Sequence, residues 1–316
     1  MRSIEPLTIQ DVVAARARIA STIARTPLIR LAVDAPAEIY LKLESLQPIG
    51  SFKIRGAMNA IRSLPPESLS GGVYTASAGN MAQGVAWGAR ELGVPCTVVM
   101  PDNAPRTKLE AVARLGASIV QVPYDEWWQT LRDHGREGIP GAFIHPVANR
   151  SVMAGNGTIG IEIAADLPDV DAVLVPFGGG GLVTGIATAV RALAPQAKVF
   201  ACEVSTSTPL TAALAAGGPV IVDRIPSFVD GIGGRGVLPE MWPLVRVLLT
   251  GALVAELDEV KRAVRLLIER ARIVAEGAGA VPVAAALAGR GGSGRVVCVV
   301  SGGNIDLKTL IELMSG

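Results

Sequence analysis

Three short loops hold the residues whose types and spacing could do chemistry. The first is Ser51-Phe52-Lys53-Ile54-Arg55-Gly56-Ala57. Its pattern predicts a helix over residues 51–63, with Lys53 in the first turn. The partial positive charge of a helix start disfavours a second cation. With burial added, the amine drops below the ordinary lysine pKa, which suits a Schiff-base lysine. The plain alternative is a surface lysine. The second loop, Thr75-Ala76-Ser77-Ala78-Gly79-Asn80, lies between a strand and a helix. Free backbone amides at a helix start make an anion site, and Ser77 and Asn80 add polar groups, so a carboxylate fits there. An ordinary helix cap is the alternative. The third loop is Gly178-Gly179-Gly180-Gly181, after an apolar strand and before the helix that begins at about Leu182. Four glycines in a row break either element and allow unusual backbone geometry. A phosphate cradled by amides is the natural occupant, and a flexible connection is the alternative. The loop is neither a Walker loop nor a full G-x-G-x-x-G. Together the three provide an amine, a carboxylate site and a phosphate site. A phosphorylated aldehyde cofactor and an amino-acid substrate require that set.

The elements that must position these loops alternate between strand and helix. Thr8 and Asp11 form a capping box before a helix whose apolar residues Val12, Ala15, Ile19 and Ile23 keep helical spacing. Arg25-Thr26-Pro27 ends it. Strands are predicted over residues 38–44, 72–76, 96–100, 118–123, 172–175, 199–202 and 296–300, with helices between them. Continuous apolar strands alternating with helices indicate parallel sheets covered on both faces, with ligands where strand ends meet helix starts. The segment 69–148 reads as a smaller βα unit of its own.

Composition removes several function classes. The chain has 316 residues, half of them hydrophobic, and a net charge of +1 with no long basic block, so nucleic acid is not an expected partner. No apolar run approaches the length of a membrane span, and the start Met1-Arg2-Ser3-Ile4-Glu5-Pro6 lacks the apolar core of a leader, so a cytoplasmic location is expected. The three cysteines are dispersed in apolar stretches and read as buried thiols in a reducing compartment. With only two histidines, His134 and His145, a histidine-rich metal site is excluded and a histidine triad is not expected. Proton chemistry then rests on a lysine, a carboxylate or a cofactor.

With these residues in hand, the chain resembles a known group. Ser51-Phe52-Lys53-Ile54-Arg55-Gly56-Ala57, Ser77-Ala78-Gly79-Asn80, the tetraglycine loop and Ser301-Gly302-Gly303-Asn304 stand in the order found in the threonine/serine dehydratase and serine racemase family, the fold-type-II, tryptophan-synthase-β-like pyridoxal-phosphate enzymes. The resemblance runs from about Thr8 to Leu310. It implies an α/β fold of two domains, each a mostly parallel sheet with helices on both faces: a large pyridoxal 5'-phosphate domain of residues 1–68 and 149–316, and a small domain of residues 69–148. It implies that Lys53 bears the cofactor and acts as base at Cα, that Phe52 packs beside the ring, and that Asn80 partners the phenolic oxygen. Gly178, Gly179, Gly180 and Gly181 would hold the phosphate and Ser301 the pyridine nitrogen. Ser77 and the amides of Gly79, Asn80 and Met81 would bind the substrate carboxylate. The implied reaction is β-elimination of water and then ammonia from L-threonine or L-serine, by a homodimer with no metal.

The departures from the family pattern narrow this. Racemases of the family carry a serine where this chain has Ala78, which cannot move a proton, so a dehydratase ranks above a racemase. Met81 replaces the usual histidine. Glu203 persists from a cation site of some relatives, but Pro209 stands in the Asp position, a poor site for a hard cation. The length leaves no room for the regulatory domain of biosynthetic threonine dehydratases. Glu276 matches a loop near the cofactor and would tune charge there, or else cap a helix. Asp230-Gly231 resembles a loop that closes over the ring. Trp127-Trp128 read more readily as packing or a subunit contact than as a substrate entrance, and His145 as structural. The alternatives left open are another β-hydroxy amino acid such as 3-hydroxyaspartate or phenylserine, a silent amino-acid sensor, and a nicotinamide-binding dehydrogenase.

Overall fold

The computed structural model describes residues 4–315. The opening residues 1–3, read above as part of a start without a leader, and the final residue 316 lie outside the described residues. Ten strands build two sheets. In the larger, β1 (Leu28–Arg30), β2 (Glu38–Leu43), β7 (Ala172–Pro176), β8 (Lys198–Val204), β9 (Gly251–Ala255) and β10 (Arg295–Val300) lie in the order β1-β2-β10-β7-β8-β9. In the smaller, β3 (Val73–Ala76), β4 (Cys96–Pro101), β5 (Ser118–Val122) and β6 (Ala142–Phe143) lie in the order β5-β4-β3-β6. Every pairing is parallel except β1 with β2. The central strands are apolar on both faces because helices cover both: all five residues of β7 and the last five of β10 are buried.

Several elements escaped the sequence reading. β1 and β6 are three and two residues long, too short to show a period, and β9 has only half-buried positions apart from Ala255. The first helix has the capping box expected of Thr8 and Asp11 but stops at Ile19 (Ile9–Ile19), not near Arg25. Ser21 and Thr22, poor helix formers, turn the chain there, while Ile23 still buries its side chain.

Two features aim the fold at its loops. The helix Arg150–Asp166 lies directly on the helix Gly181–Leu193, backbone to backbone. A Cβ on Gly185 would sit 2.1 Å from the carbonyl oxygen of Met153, so only glycine permits this approach. The contact fixes where the glycine loop begins its helix. The other feature is a buried charge network that the sequence reading missed. The guanidinium of Arg55 grips both carboxylate oxygens of Glu44, each at 2.8 Å, and donates to Glu162 at 2.7 Å. Lys42 donates to the same Glu162, and Thr26 to Glu44. Two cations and two carboxylates thus compensate each other, and they clamp the helix Lys53–Arg62 onto β2 and onto the helix Arg150–Asp166.

Among the described residues no helix is long and apolar enough to cross a membrane, and the three cysteines are buried and free.

Candidate active site

The carboxyl ends of β3, β7 and β10 face one cavity of about 800 Å³, so strands of both sheets deliver residues to it. This is where ligands bind in open parallel sheets. Its lining includes Phe52, Lys53, Ser77, Gly79, Asn80 and Met81, together with Gly178, Gly179, Gly180, Gly181 and Ser301. The structure therefore brings to one cavity every residue to which the resemblance gives a cofactor or substrate role.

Lys53 opens the helix Lys53–Arg62 and lines the cavity. Its Nζ donates to the carbonyl oxygen of Pro146 at 3.0 Å and lies 5.2 Å from the centre of the Phe52 ring. Burial pulls its amine down to about 8, while the Glu276 carboxylate works in the opposite direction. Desolvation is the leading cause here.

The Ser77 loop is more self-contained than expected. The Gly79 amide donates to Ser77 Oγ at 3.2 Å, so one of the amides assigned to a carboxylate already has an acceptor. Gly79 caps the helix Asn80–Leu92 without a side-chain bond, leaving the amides of that helix start facing the cavity. The side chain of Met81 is buried in the core of the smaller sheet, with Ala57, Val85 and Val98, so this residue meets the cavity through its backbone.

In the glycine loop, Gly180 has φ +95° and Gly181 starts the helix Gly181–Leu193. The amides of Gly178, Gly179 and Gly180 donate to no acceptor among the described residues. Three donors left free at a helix start fit a phosphate. Ser301 follows β10, is 2 % exposed, and its hydroxyl has no partner among the described residues, although it borders the cavity. A buried hydroxyl in that position fits a ring nitrogen. An amine of lowered pKa, unpaired amides and an unpaired hydroxyl around one cavity are the donor set that pyridoxal phosphate needs, and the residues fit it.

Glu276 stands at the start of the helix Gly277–Leu287, but its side chain makes no capping bond. Its carboxylate faces the cavity and accepts from Asn80 Nδ2 at 2.9 and 3.2 Å. Burial pushes it up to about 7, against the Asn80 bond; Asp230 adds to the rise, and Lys108 and Lys53 oppose it. Gly302 must lack a side chain, since a Cβ there would lie 2.6 Å from Glu276 Oε1. Asp230 and Gly231 also line the cavity, and Asp230 is bridged to Lys108 at 2.8 Å, from the helix Arg106–Ala113 of the smaller sheet.

Three further groups read from the sequence have these places. Trp127 does border the cavity, although it also packs against Tyr124 and Trp128. The two histidines, 11 positions apart in the chain, stack with ring centres 4.4 Å apart, and a Glu240 oxygen lies 3.3 Å from His134 Nε2. The cluster has the spacing of a metal site but the wrong tautomer. His145 Nδ1 accepts from the amides of Val147 and Ala148, which leaves the ring proton on Nε2. Glu203 is buried, and its two oxygens accept from the Leu210 amide, the Thr211 amide and the Thr211 hydroxyl. It therefore secures the helix Pro209–Ala216. The contacts made by Pro146, Lys108 and Asn304 had no readable signal beyond the membership of Asn304 in its motif.

Comparison with known proteins adds the family. A family model described as "Pyridoxal-phosphate dependent enzyme" matches residues 19–302. The L-threonine ammonia-lyase of Geobacter sulfurreducens is 44% identical over 276 residues, 86% of this chain and 68% of that relative. The solved structure of a threonine deaminase from T.th. is 35% identical with a TM-score of 0.88, over 95% of this chain and 99% of that one. The solved structure of maize serine racemase is 32% identical with a TM-score of 0.89, over 98% and 97%. Family match, sequence identity and fold agree, and the chain belongs to the pyridoxal-phosphate-dependent enzymes, in their threonine/serine dehydratase and serine racemase group.

Proposed function

We propose that this chain eliminates water and then ammonia from L-threonine, and from L-serine, to give 2-oxobutanoate or pyruvate. The observation that supports it most is the Lys53 amine, brought down to about 8 beside free amides and a free hydroxyl, in a chain related to proteins named L-threonine ammonia-lyase.

Pyridoxal phosphate, once bound, withdraws electrons from the Cα of the amino acid. The chain does the rest. Gly178, Gly179, Gly180 and Gly181 would hold the phosphate through amides, Phe52 would flank the ring, Asn80 would donate to the phenolic oxygen and Ser301 would meet the ring nitrogen. Ser77 and the amides of Asn80 and Met81 orient the substrate carboxylate. Lys53 would hold the cofactor through its amine and, as a free amine, would take the α proton of the amino acid. The β hydroxyl would leave as water with a proton equivalent to the one taken from Cα, and the released enamine would tautomerise to an imine that water hydrolyses to the 2-oxo acid and ammonia. A hydroxyl partner such as Ser301 would leave the ring nitrogen largely neutral, which would suit prompt elimination. Ala78 borders the cavity where a racemase of the family has a serine, so no second proton carrier stands there.

The same reading divides the chain into a large cofactor domain, residues 1–68 and 149–316, and a small domain, residues 69–148, within which all strands of the four-stranded sheet fall. It makes the enzyme a cytoplasmic homodimer, which sedimentation of the purified protein and cell fractionation test.

The decisive assay supplies the cofactor and L-threonine or L-serine and follows 2-oxo acid. Formation of 2-oxobutanoate that falls by ~10³-fold or more in Lys53→Ala, with loss of the visible band, is expected. A visible band with no oxo acid from either amino acid would reject the substrate and leave the cofactor.

A further inference from the structure

Asn304 ends the motif Ser301-Gly302-Gly303-Asn304 and has no part in the mechanism above. Its side-chain nitrogen donates to the main-chain carbonyl of Ile49 at 2.8 Å and to Asn80 Oδ1 at 2.8 Å. A main-chain carbonyl only accepts, so the Ile49 contact decides which end of the Asn304 amide is nitrogen. That nitrogen in turn draws the carbonyl end of Asn80 to its own side. Asn80 Nδ2 therefore points the other way, where it meets Glu276 at 2.9 Å. An amide nitrogen has two hydrogens, and Asn80 borders the cavity, so one N–H remains for a ligand there.

Glu276 alone would hold this orientation only while ionised. A protonated carboxyl donates as well as accepts, and tolerates either end of the amide. Asn304 holds the orientation in both states. The chain of contacts starts at the turn before the Lys53 helix, passes through the segment after β10 and ends at the first residue of the helix Asn80–Leu92, which joins the two sheets. Room for it is made by Gly50, where a Cβ would lie 2.7 Å from Asn304 Oδ1.

We propose that Asn304 is a positioning residue that locks the Asn80 amide with its N–H, not its carbonyl, toward the phenolic oxygen of the cofactor. The proposal rests on the reading of this cavity as the pyridoxal-phosphate site. With the amide reversed, two oxygens would face each other and the bond to the cofactor would be lost.

The test is a double-mutant cycle on the loaded enzyme: Asn304→Ala, Asn80→Ala and both together. The readouts are the cofactor dissociation constant by equilibrium dialysis and the position of the visible band as pH is varied. Asn304→Ala is expected to weaken cofactor binding roughly tenfold, the loss of about one hydrogen bond, and to displace the band. Since Asn304 acts through Asn80, the double variant should be no weaker than Asn80→Ala alone. Additive losses, or an unchanged constant and band in Asn304→Ala, would overturn the proposal while leaving the cofactor site standing. Asn304→Asp, which keeps the shape and removes the donor, replaces the alanine variant if that one does not fold and should show the same two changes. A neutron structure of the parent holoenzyme with the Asn80 carbonyl toward the phenolic oxygen would overturn it without any variant. A parent protein that develops no visible band with the cofactor would sink the site reading itself.

Discussion

Asn80 and Glu276 lie 196 positions apart in the chain, yet Asn80 Nδ2 and Glu276 Oε1 are 2.9 Å apart on the wall of one cavity. The carboxyl is buried and pushed up to about 7, and its charge raises the Lys53 amine, which burial has pulled down to about 8. The two groups therefore titrate close together and influence each other.

The rate at which the apoprotein captures pyridoxal phosphate should follow the free amine of Lys53. It should rise with pH and level off above about 8. Glu276→Gln removes the charge that favours the ammonium form, so the midpoint should move to lower pH. Stopped-flow absorbance over a pH series reads this directly. An unchanged midpoint, or one near that of an ordinary lysine, would separate Glu276 from Lys53.

Gly180→Ala should weaken cofactor binding about tenfold or more. Its φ of +95° lies in the left-handed region, which disfavours alanine by ~1–2 kcal/mol, and the new Cβ would press on Val245 Cγ1 at 3.2 Å. The loop must relax, and its amides move away from the phosphate. Gly217→Ala is the control: its φ is +73°, with nothing within 4 Å of the added atom. It should lose similar stability in thermal melts yet keep the parent's cofactor affinity. Equal affinity for all three proteins would mean that the glycine loop is not the phosphate cradle.

Arg55→Ala should destabilise the fold by about 3–5 kcal/mol, because it strands buried carboxylates. Denaturant titration measures the loss. Burial alone would raise the Glu44 carboxyl, but the Arg55 charge and hydrogen bonds, with Thr26 and Lys42, hold it below its ordinary value. A depressed carboxyl stabilises the fold above its unfolded-state value, and that contribution is lost as pH falls through the folded value. The difference between parent and variant should therefore narrow as the solution is acidified below about 4.5. A constant difference across that range would mean that Glu44 does not titrate against Arg55.

The sequence by itself determined the strand–helix alternation, the capping box at Thr8, the parallel character of both sheets and the loops that face the cavity. These are local properties: apolar runs make buried strands, and consecutive glycines or a lysine at a helix start are visible within a few residues. The residues that line the cavity were legible for the same reason, since each motif lies on one loop. What only the tertiary structure decided depends on contacts between distant segments. The Arg55 network joins residues as far apart as 107 and 120 positions, and the histidine stack and the Glu276–Asn80–Asn304 chain have no local period to reveal them. The leading cause of the Lys53 shift was likewise settled by burial, which no window of sequence around the lysine contains. Side-chain hydrogen bonds act over about 3 Å, so their partners exist only once the chain has folded.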